Sequence, residues 1–365
     1  MPLRWANSAD SHILEPDDLW TESLPEPLAR RAPRSERHGE QEITIVDGQL
    51  VRRDPIAFVG LRPPGAHNAK DRLVDLDEQG VWSEVVFPSL GMWTAMISDP
   101  ELVQACCRSY NDWLRDELVR TSHRFVPAAM LSMLDTDDAV AELHRTRDLG
   151  FTAMFLATTP PPGRDFNDEL WDPLWAAASE AGAVLCFHVG TGGVQKVARG
   201  PGGAVINYVE TFFPAQRTVT HLVAGGALDR YPALRVFIAE AGASWVPALA
   251  DRMDEAYRQH HMFVRPPLSM LPSDLIYRQV YTSFQHDRTA IQAVMAMGYE
   301  RVMWGTDYPH LEGTYPDTQR VLAELFDGVP DAVRELITLT AFSDLFGTAP
   351  PGEDASADRD GTAPG

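Results

Sequence analysis

The run Arg301-Val302-Met303-Trp304-Gly305-Thr306-Asp307-Tyr308-Pro309-His310 decides the fold. It opens as a buried strand, Arg301 to Trp304, and breaks at Gly305. The side chains past the break include Thr306, Asp307 and His310. An apolar run ending in a carboxylate and an imidazole reads as a barrel strand whose end carries chemistry. Taken alone, it equally reads as a strand-to-turn junction capped by Asp307. The first reading gains because four other strands in the chain end the same way.

Working outward, short apolar and β-branched segments alternate with helical patterns. Eight strands are expected, over residues 7–12, 83–88, 125–130, 153–156, 184–188, 235–240, 279–283 and 301–306. Their near-continuous apolar character suits a sheet buried on both faces. Helices are expected between them, over residues 99–122, 136–149, 168–181, 245–260 and 331–346. Eight βα units over this length predict an α/β fold, a (β/α)8 TIM barrel, filling residues 1–347 as one domain. Residues 16–70 interrupt the first unit as an insertion rich in proline and charge. Its cluster of Arg30, Arg31, Arg34 and Arg37 reads as a solvated or oligomer-contact surface. The glycine-rich residues 189–210 read as a mobile loop beside the site. Residues 348–365 read as a disordered acidic tail.

The predicted strand ends converge on one face of such a barrel. Asp10 and His12, two apart, point the same way. His188, Glu240 and Asp307 end three further strands. Two histidines and two or three carboxylates suit a divalent ion with open positions, zinc first and manganese second. His286, after the seventh strand, His310, and Trp93, on the loop after the second, are further candidates for meeting substrate. His221 reads as structural, and His260 and His261 as partners of a helix C-terminus.

Four segments carry a resemblance: Asp10-Ser11-His12-Ile13-Leu14-Glu15-Pro16, Phe187-His188-Val189-Gly190, residues 225–245, and Trp304-Gly305-Thr306-Asp307-Tyr308-Pro309-His310. The chain resembles the amidohydrolase-related family that contains the aminocarboxymuconate-semialdehyde decarboxylase-like enzymes. That resemblance implies a barrel with one metal, held by Asp10, His12, His188 and Asp307, and Asp307 able to move a proton. Relatives carry His or Glu where Asp10 stands. The decarboxylases usually carry His on the sixth strand, where this chain has Glu240. Binuclear relatives bridge two metals with a strand-four lysine. The only lysines here, Lys70 and Lys196, lie off the predicted strands, so one metal is expected.

Two chemistries use such a site. In a decarboxylase of a small aromatic or unsaturated acid, the metal acts as Lewis acid and Asp307 or Glu240 delivers the proton. In the alternative, a hydrolase, a metal-activated water attacks an amide, ester, lactone or β-diketone. A third reading is a barrel that has lost catalysis and serves as a binding or scaffold protein, which failure to bind any divalent ion would favour.

Composition bounds the rest. The 365 residues are 44% hydrophobic and carry a formal charge of −21. That charge argues against nucleic acid and anionic membrane as partners and says nothing about substrate; the small-molecule substrate is what the site chemistry implies. Cys106, Cys107 and Cys186 form neither a disulfide framework nor a zinc spacing, as in a reducing cytoplasm. No apolar run approaches a membrane span. A cytoplasmic protein is expected, with a homodimer as the default assembly.

Overall fold

The computed structural model describes residues 5–56, 62–193, 198–348 and 350. Twelve strands lie among them: β1 Ala6–Ser8, β2 His12–Ile13, β3 Arg34–His38, β4 Gln41–Val46, β5 Gln49–Pro55, β6 Val81–Pro88, β7 Phe125–Met130, β8 Ala153–Ala157, β9 Val184–His188, β10 Arg235–Ala239, β11 Val280–Phe284 and β12 Val302–Trp304. The order β1-β6-β7-β8-β9-β10-β11-β12 is parallel throughout, and β2 extends the β1 position along β6. Closure between β12 and the β1–β2 segment runs through Ala9 N to Trp304 O at 2.8 Å, Asp307 N to Asp10 O at 2.9 Å and His12 N to Tyr308 O at 2.6 Å. The result is the expected (β/α)8 barrel.

The apolar strands were legible because both of their faces are buried. Every residue of β6, β7, β8, β9 and β11 is buried. Helices such as Pro100–Leu114, Thr136–Asp148 and Trp245–Gln259 cover the outer face. Asp99 and Asp135 accept bonds from backbone amides of the first turns that they cap. Among the described residues no helix is long and apolar enough to cross a membrane.

Three details differ from the expectation. The first strand is split, because the chain bulges between Ser8 and His12. There Ser8 Oγ donates to Asp10 O at 2.7 Å and accepts from Thr306 N at 2.8 Å. The seventh strand begins at Val280, since Gln279 closes the preceding helix and bonds the carbonyls of Tyr231 and Leu234. The insertion is an antiparallel sheet, β3-β4-β5. Its arginines are not a free basic patch: Arg31 bonds Asp47 and Asp99 at 2.7 Å each, Arg34 bonds Glu36 at 2.9 Å, and Arg30 pairs with Glu26.

In the glycine-rich segment, residues 203–210 form a helix, and residues 190–193 are pinned to the end of β8. Thr158 N donates to Thr191 Oγ1 at 3.1 Å, and a β-carbon at Gly192 would strike the Thr159 carbonyl. The expected mobile loop thus has an anchored beginning and a helical end; residues 194–197, with Lys196, lie outside the described residues. The expected tail also lies outside them, apart from Thr348 and Pro350.

Candidate metal centre

The barrel brings Asp10, His12 and His188 together at the floor of a cavity, each buried and each offering a ligand atom within 4.8 Å of the others. The two imidazoles are oriented by the backbone. His12 Nδ1 donates to Pro88 O at 2.9 Å, and His188 Nδ1 donates to Val189 O at 2.9 Å. A carbonyl only accepts, so both rings carry their proton on Nδ1. When Nε2 gives up its own proton, each ring directs that lone pair inward, as a metal ligand must.

Those inward atoms lack partners. His12 Nε2, His188 Nε2, both oxygens of Asp10, and Asp307 Oδ2 are buried without a hydrogen bond. Orphaned buried polar atoms are costly and rare. Here several face one another at distances too long for hydrogen bonds: His188 Nε2 to Asp10 Oδ1 3.4 Å, His12 Nε2 to Asp307 Oδ1 3.4 Å, and His12 Nε2 to Asp10 Oδ1 3.7 Å. Donor atoms that surround a point without bonding each other fit a cation between them.

The protonation pattern also calls for positive charge. Burial opposes a charge on His188, but Asp10 and Glu240 outweigh it and lift its pKa to about 9. Burial, with His310 nearby, lowers His12. Burial would raise Asp307, but His310, whose Nδ1 donates to Asp307 Oδ1 at 2.8 Å, and His12 hold it well below the carboxylate range. Glu240 moves the other way: burial, reinforced by the charge of Asp307, pushes it well above its ordinary value. The two carboxyl groups are therefore driven apart, Asp307 toward the ionised form and Glu240 toward the protonated one.

Glu240 and Asp307 share a backbone feature. Their φ angles are 59° and 52°, in the left-handed region that a non-glycine residue rarely occupies. Each follows the end of a barrel strand and turns its side chain over the barrel mouth. Glu240 N is held by Ser283 Oγ at 2.9 Å. Strain of this kind gathers at functional sites.

The cavity above the floor has a volume of about 460 Å³ and is lined by His12, His188, Glu240 and His310. Trp93, Phe212 and Tyr208 supply aromatic wall. The insertion supplies the roof. Ser35 pairs with Thr44 and Thr44 with Arg52 across its strands, and Glu42 pairs with Asp54 in a second row. All five line the cavity. Arg52 lies 5.7 Å over the Trp93 ring.

Trp93 and His310 both line this cavity, His310 stacked on His12 with ring centroids 4.3 Å apart. His286 does not line this cavity. It is exposed, and its Nε2 donates to the Glu312 carbonyl at 2.8 Å, while the preceding Gln285 is buried. His221 lies on the outer helix Phe213–Ala224, away from the floor. Residues missed from sequence include Glu15, Arg72 and Glu312. Glu15 is buried and accepts the amides of Ser89, Leu90 and Gly91 at 3.1, 2.9 and 2.8 Å. Its place in the Asp10–Pro16 segment was the only signal. Arg72, buried and paired with Glu84, donates to the His12 carbonyl at 2.8 Å.

Comparison with known proteins places this geometry. Against curated proteins, the chain is 28% identical over 257 residues to the gamma-resorcylate decarboxylase of Rhodococcus jostii, covering 65% of this chain and 76% of that protein. The fold matches an amidohydrolase of Mycobacterium avium subsp. paratuberculosis with a TM-score of 0.80 at 20% identity, over 94% of this chain and 98% of the other. It also matches a dihydroxybenzoic acid decarboxylase of a Polaromonas species, solved with manganese and 2-nitroresorcinol, with a TM-score of 0.62 at 19% identity over 94% and 97% of the two chains. The amidohydrolase family model covers residues 46–340, which include His188, Glu240 and Asp307, and the chain belongs to the amidohydrolase family.

Proposed function

We propose that the chain is a metal-dependent decarboxylase of an aromatic or unsaturated carboxylic acid. The observation that carries this reading is the set of buried, unpartnered ligand atoms of Asp10, His12, His188 and Asp307 at the floor of an aromatic-walled cavity, with the Glu240 carboxyl, pushed upward by burial and by Asp307, beside them. The decarboxylase relative and the family support it. A divalent ion held by Asp10, His12, His188 and Asp307 would act as Lewis acid on the substrate carboxylate and a neighbouring oxygen. Two imidazoles and two carboxylates suit manganese at least as well as zinc, and the neighbour solved with manganese supports manganese beside the zinc expected first from the sequence.

The remaining work falls to the chain. Trp93 and Phe212 offer flat apolar surface to a planar ring. Glu240 donates its proton to the carbon that bears the carboxylate, forming the new C–H bond. The C–C bond to the carboxylate then breaks, its electron pair returns to the ring, and CO2 leaves. Glu240 recovers a proton from water at the cavity mouth. Asp307, kept ionised by His310 and His12, remains an acceptor throughout.

The test is CO2 release from hydroxybenzoic acids, with gamma-resorcylate and 5-carboxyvanillate included. Release should disappear on chelation and return with Mn2+. In D2O the vacated carbon should carry deuterium. Glu240→Gln should lower kcat by about 10²–10⁴-fold with the metal retained. Metal-loaded protein that releases no CO2 from any such acid but hydrolyses esters or lactones would move the chain to the hydrolases.

A further inference from the structure

We propose that Glu15 is a positioning residue of the metal centre, one that fixes the peptide plane on which the His12 imidazole is oriented. This role rests on the metal-dependent reading of the site, not on which acid is decarboxylated.

His12 and Glu15 hold the two ends of a single peptide group. His12 Nδ1 donates to Pro88 O at 2.9 Å, and Ser89 N donates to Glu15 Oε1 at 3.1 Å. The Pro88 carbonyl and the Ser89 amide belong to one planar unit, and in its trans form they point opposite ways. Any rotation of that plane that turns the carbonyl from His12 also strains the bond to Glu15. Two further bonds oppose the rotation, from Leu90 N to Glu15 Oε2 at 2.9 Å and from Gly91 N to Oε1 at 2.8 Å.

A line of contacts thus runs from carboxylate to peptide to imidazole to the inward Nε2. The partner that orients a ligating histidine is usually a carboxylate or a carbonyl on the ring itself. Here the carbonyl takes the ring and the carboxylate takes the other end of the same peptide. A carboxylate on the amide polarises the unit, which makes Pro88 O the stronger acceptor and His12 Nε2 the more basic ligand.

The surrounding chain is shaped to this contact. Phe87 N donates to Ser11 O at 2.8 Å, and β2 pairs His12 with Phe87 and Ile13 with Pro88, so the two segments run side by side. Glu15 is only 7% exposed. A β-carbon at Gly91 would lie 3.1 Å from Glu15 Oε1, 3.0 Å from the Pro88 β-carbon and 2.7 Å from Met130 Sδ, so glycine makes room for the carboxylate. Three amides need two accepting oxygens, which a carboxylate presents and a carboxamide does not. Thr94 Oγ1 donates to Gly91 O at 2.7 Å, which ties the same clamp to the turn carrying Met92 and Trp93 in the cavity wall.

The experiment titrates chelator-stripped protein with Mn2+ and reads free and bound ion by electron paramagnetic resonance. It is run at about pH 8, above the value of about 7 to which burial lifts the Glu15 carboxyl. Glu15→Gln keeps the shape and loses one accepting oxygen. Its Mn2+ affinity should fall about 10–100-fold, as for outer partners of metal ligands, and the zero-field splitting of the bound ion should change. Gly91→Ala leaves the carboxylate and displaces the amide, and should shift both readouts the same way. Leu102→Ala, a buried change on the helix Pro100–Leu114 that does not line the cavity, should lower the melting temperature and leave both readouts unchanged. Wild-type affinity and splitting in Glu15→Gln and Gly91→Ala would overturn the proposal. So would an equal loss in Leu102→Ala, since loosening of the fold would then explain it. Wild-type protein that shows the expected pattern but releases no CO2 would keep the role of Glu15 and sink the decarboxylase reading. Wild-type protein that binds no Mn2+ would sink both.

Discussion

Gly305 lies directly against Asp10: a β-carbon at 305 would sit 2.6 Å from the Asp10 β-carbon and 3.0 Å from its amide nitrogen. The last strand and the first thus meet with no room for a side chain, and Asp307 N bonds Asp10 O at 2.9 Å just beyond the contact. Gly305→Ala forces apart the two segments that carry Asp10 and Asp307. Overpacking of this kind costs about 1–3 kcal/mol. Thermal unfolding should show that loss, and metal affinity should fall with it. An unchanged melting temperature with full metal content would mean the two strands can separate freely.

Arg72 stands behind the same seam. It is fully buried, paired with Glu84, bonded to the His12 carbonyl, and 4.7 Å over the Tyr308 ring next to Asp307. Arg72→Met leaves Glu84 buried and unpaired, which costs roughly 3–5 kcal/mol. Adding Glu84→Leu should recover much of the stability but not the bond to His12. Metal affinity of the double variant should then stay about 10–100-fold low, as for outer partners of metal ligands. Denaturant melts paired with metal titrations separate the two effects, and wild-type affinity in the double variant would remove Arg72 from the support of His12.

His188 presents Nε2 to the floor while its Nδ1 is fixed on Val189 O. His188→Ala removes a donor rather than an outer partner, so the loss of metal affinity should exceed about 100-fold. Metal content per chain after desalting is the measurement. Full occupancy would show that the ligand set is wrong.

These groups were legible in the sequence to very different degrees. Asp10, His12, His188 and Asp307 sit at the ends of strands whose continuous apolar runs announce burial on both faces, so position followed from pattern. The β3–β5 sheet was not legible. Its inner face, Ser35, Glu42, Thr44, Arg52 and Asp54, is polar because it roofs a wet cavity, so the usual apolar alternation is missing. Glu15 and Arg72 act through partners 76 and 60 residues away along the chain. No local period records such contacts. His286 lies past the end of β11, after the buried Gln285, where strand alternation no longer says which side chain meets the cavity.

Glu15 gives the fold a pH dependence. Burial lifts its carboxyl from 4.5 to about 7, against the pull of the three amides it accepts. The folded value is the higher one, so between about pH 4.5 and 7 the native chain binds more protons than the unfolded chain. Stability is then lost as pH rises through that window, by roughly 3 kcal/mol in total, and levels off above it. Glu15→Gln cannot ionise. Its stability should lack this component, so the difference between variant and wild type should grow across the window. Parallel profiles for the two proteins would show that Glu15 does not titrate there.

Trp93 and Arg52 decide what the cavity accepts. The guanidinium lies over the indole and pairs with Asp54, so a flat apolar wall is held under a charged roof. A cation over an aromatic face contributes about 0.5–2 kcal/mol. A planar substrate lying against the indole meets that wall equally in its ground and transition states. Trp93→Ala should therefore raise KM about tenfold with kcat little changed, the pattern of lost uniform binding. Arg52→Met keeps the wall and removes the charge. It should weaken acids with a second polar group at the roof end more than acids without one. Steady-state constants for such a pair of substrates read both effects. A fall in kcat without a change in KM for Trp93→Ala would place the indole in the chemical step instead of the binding step.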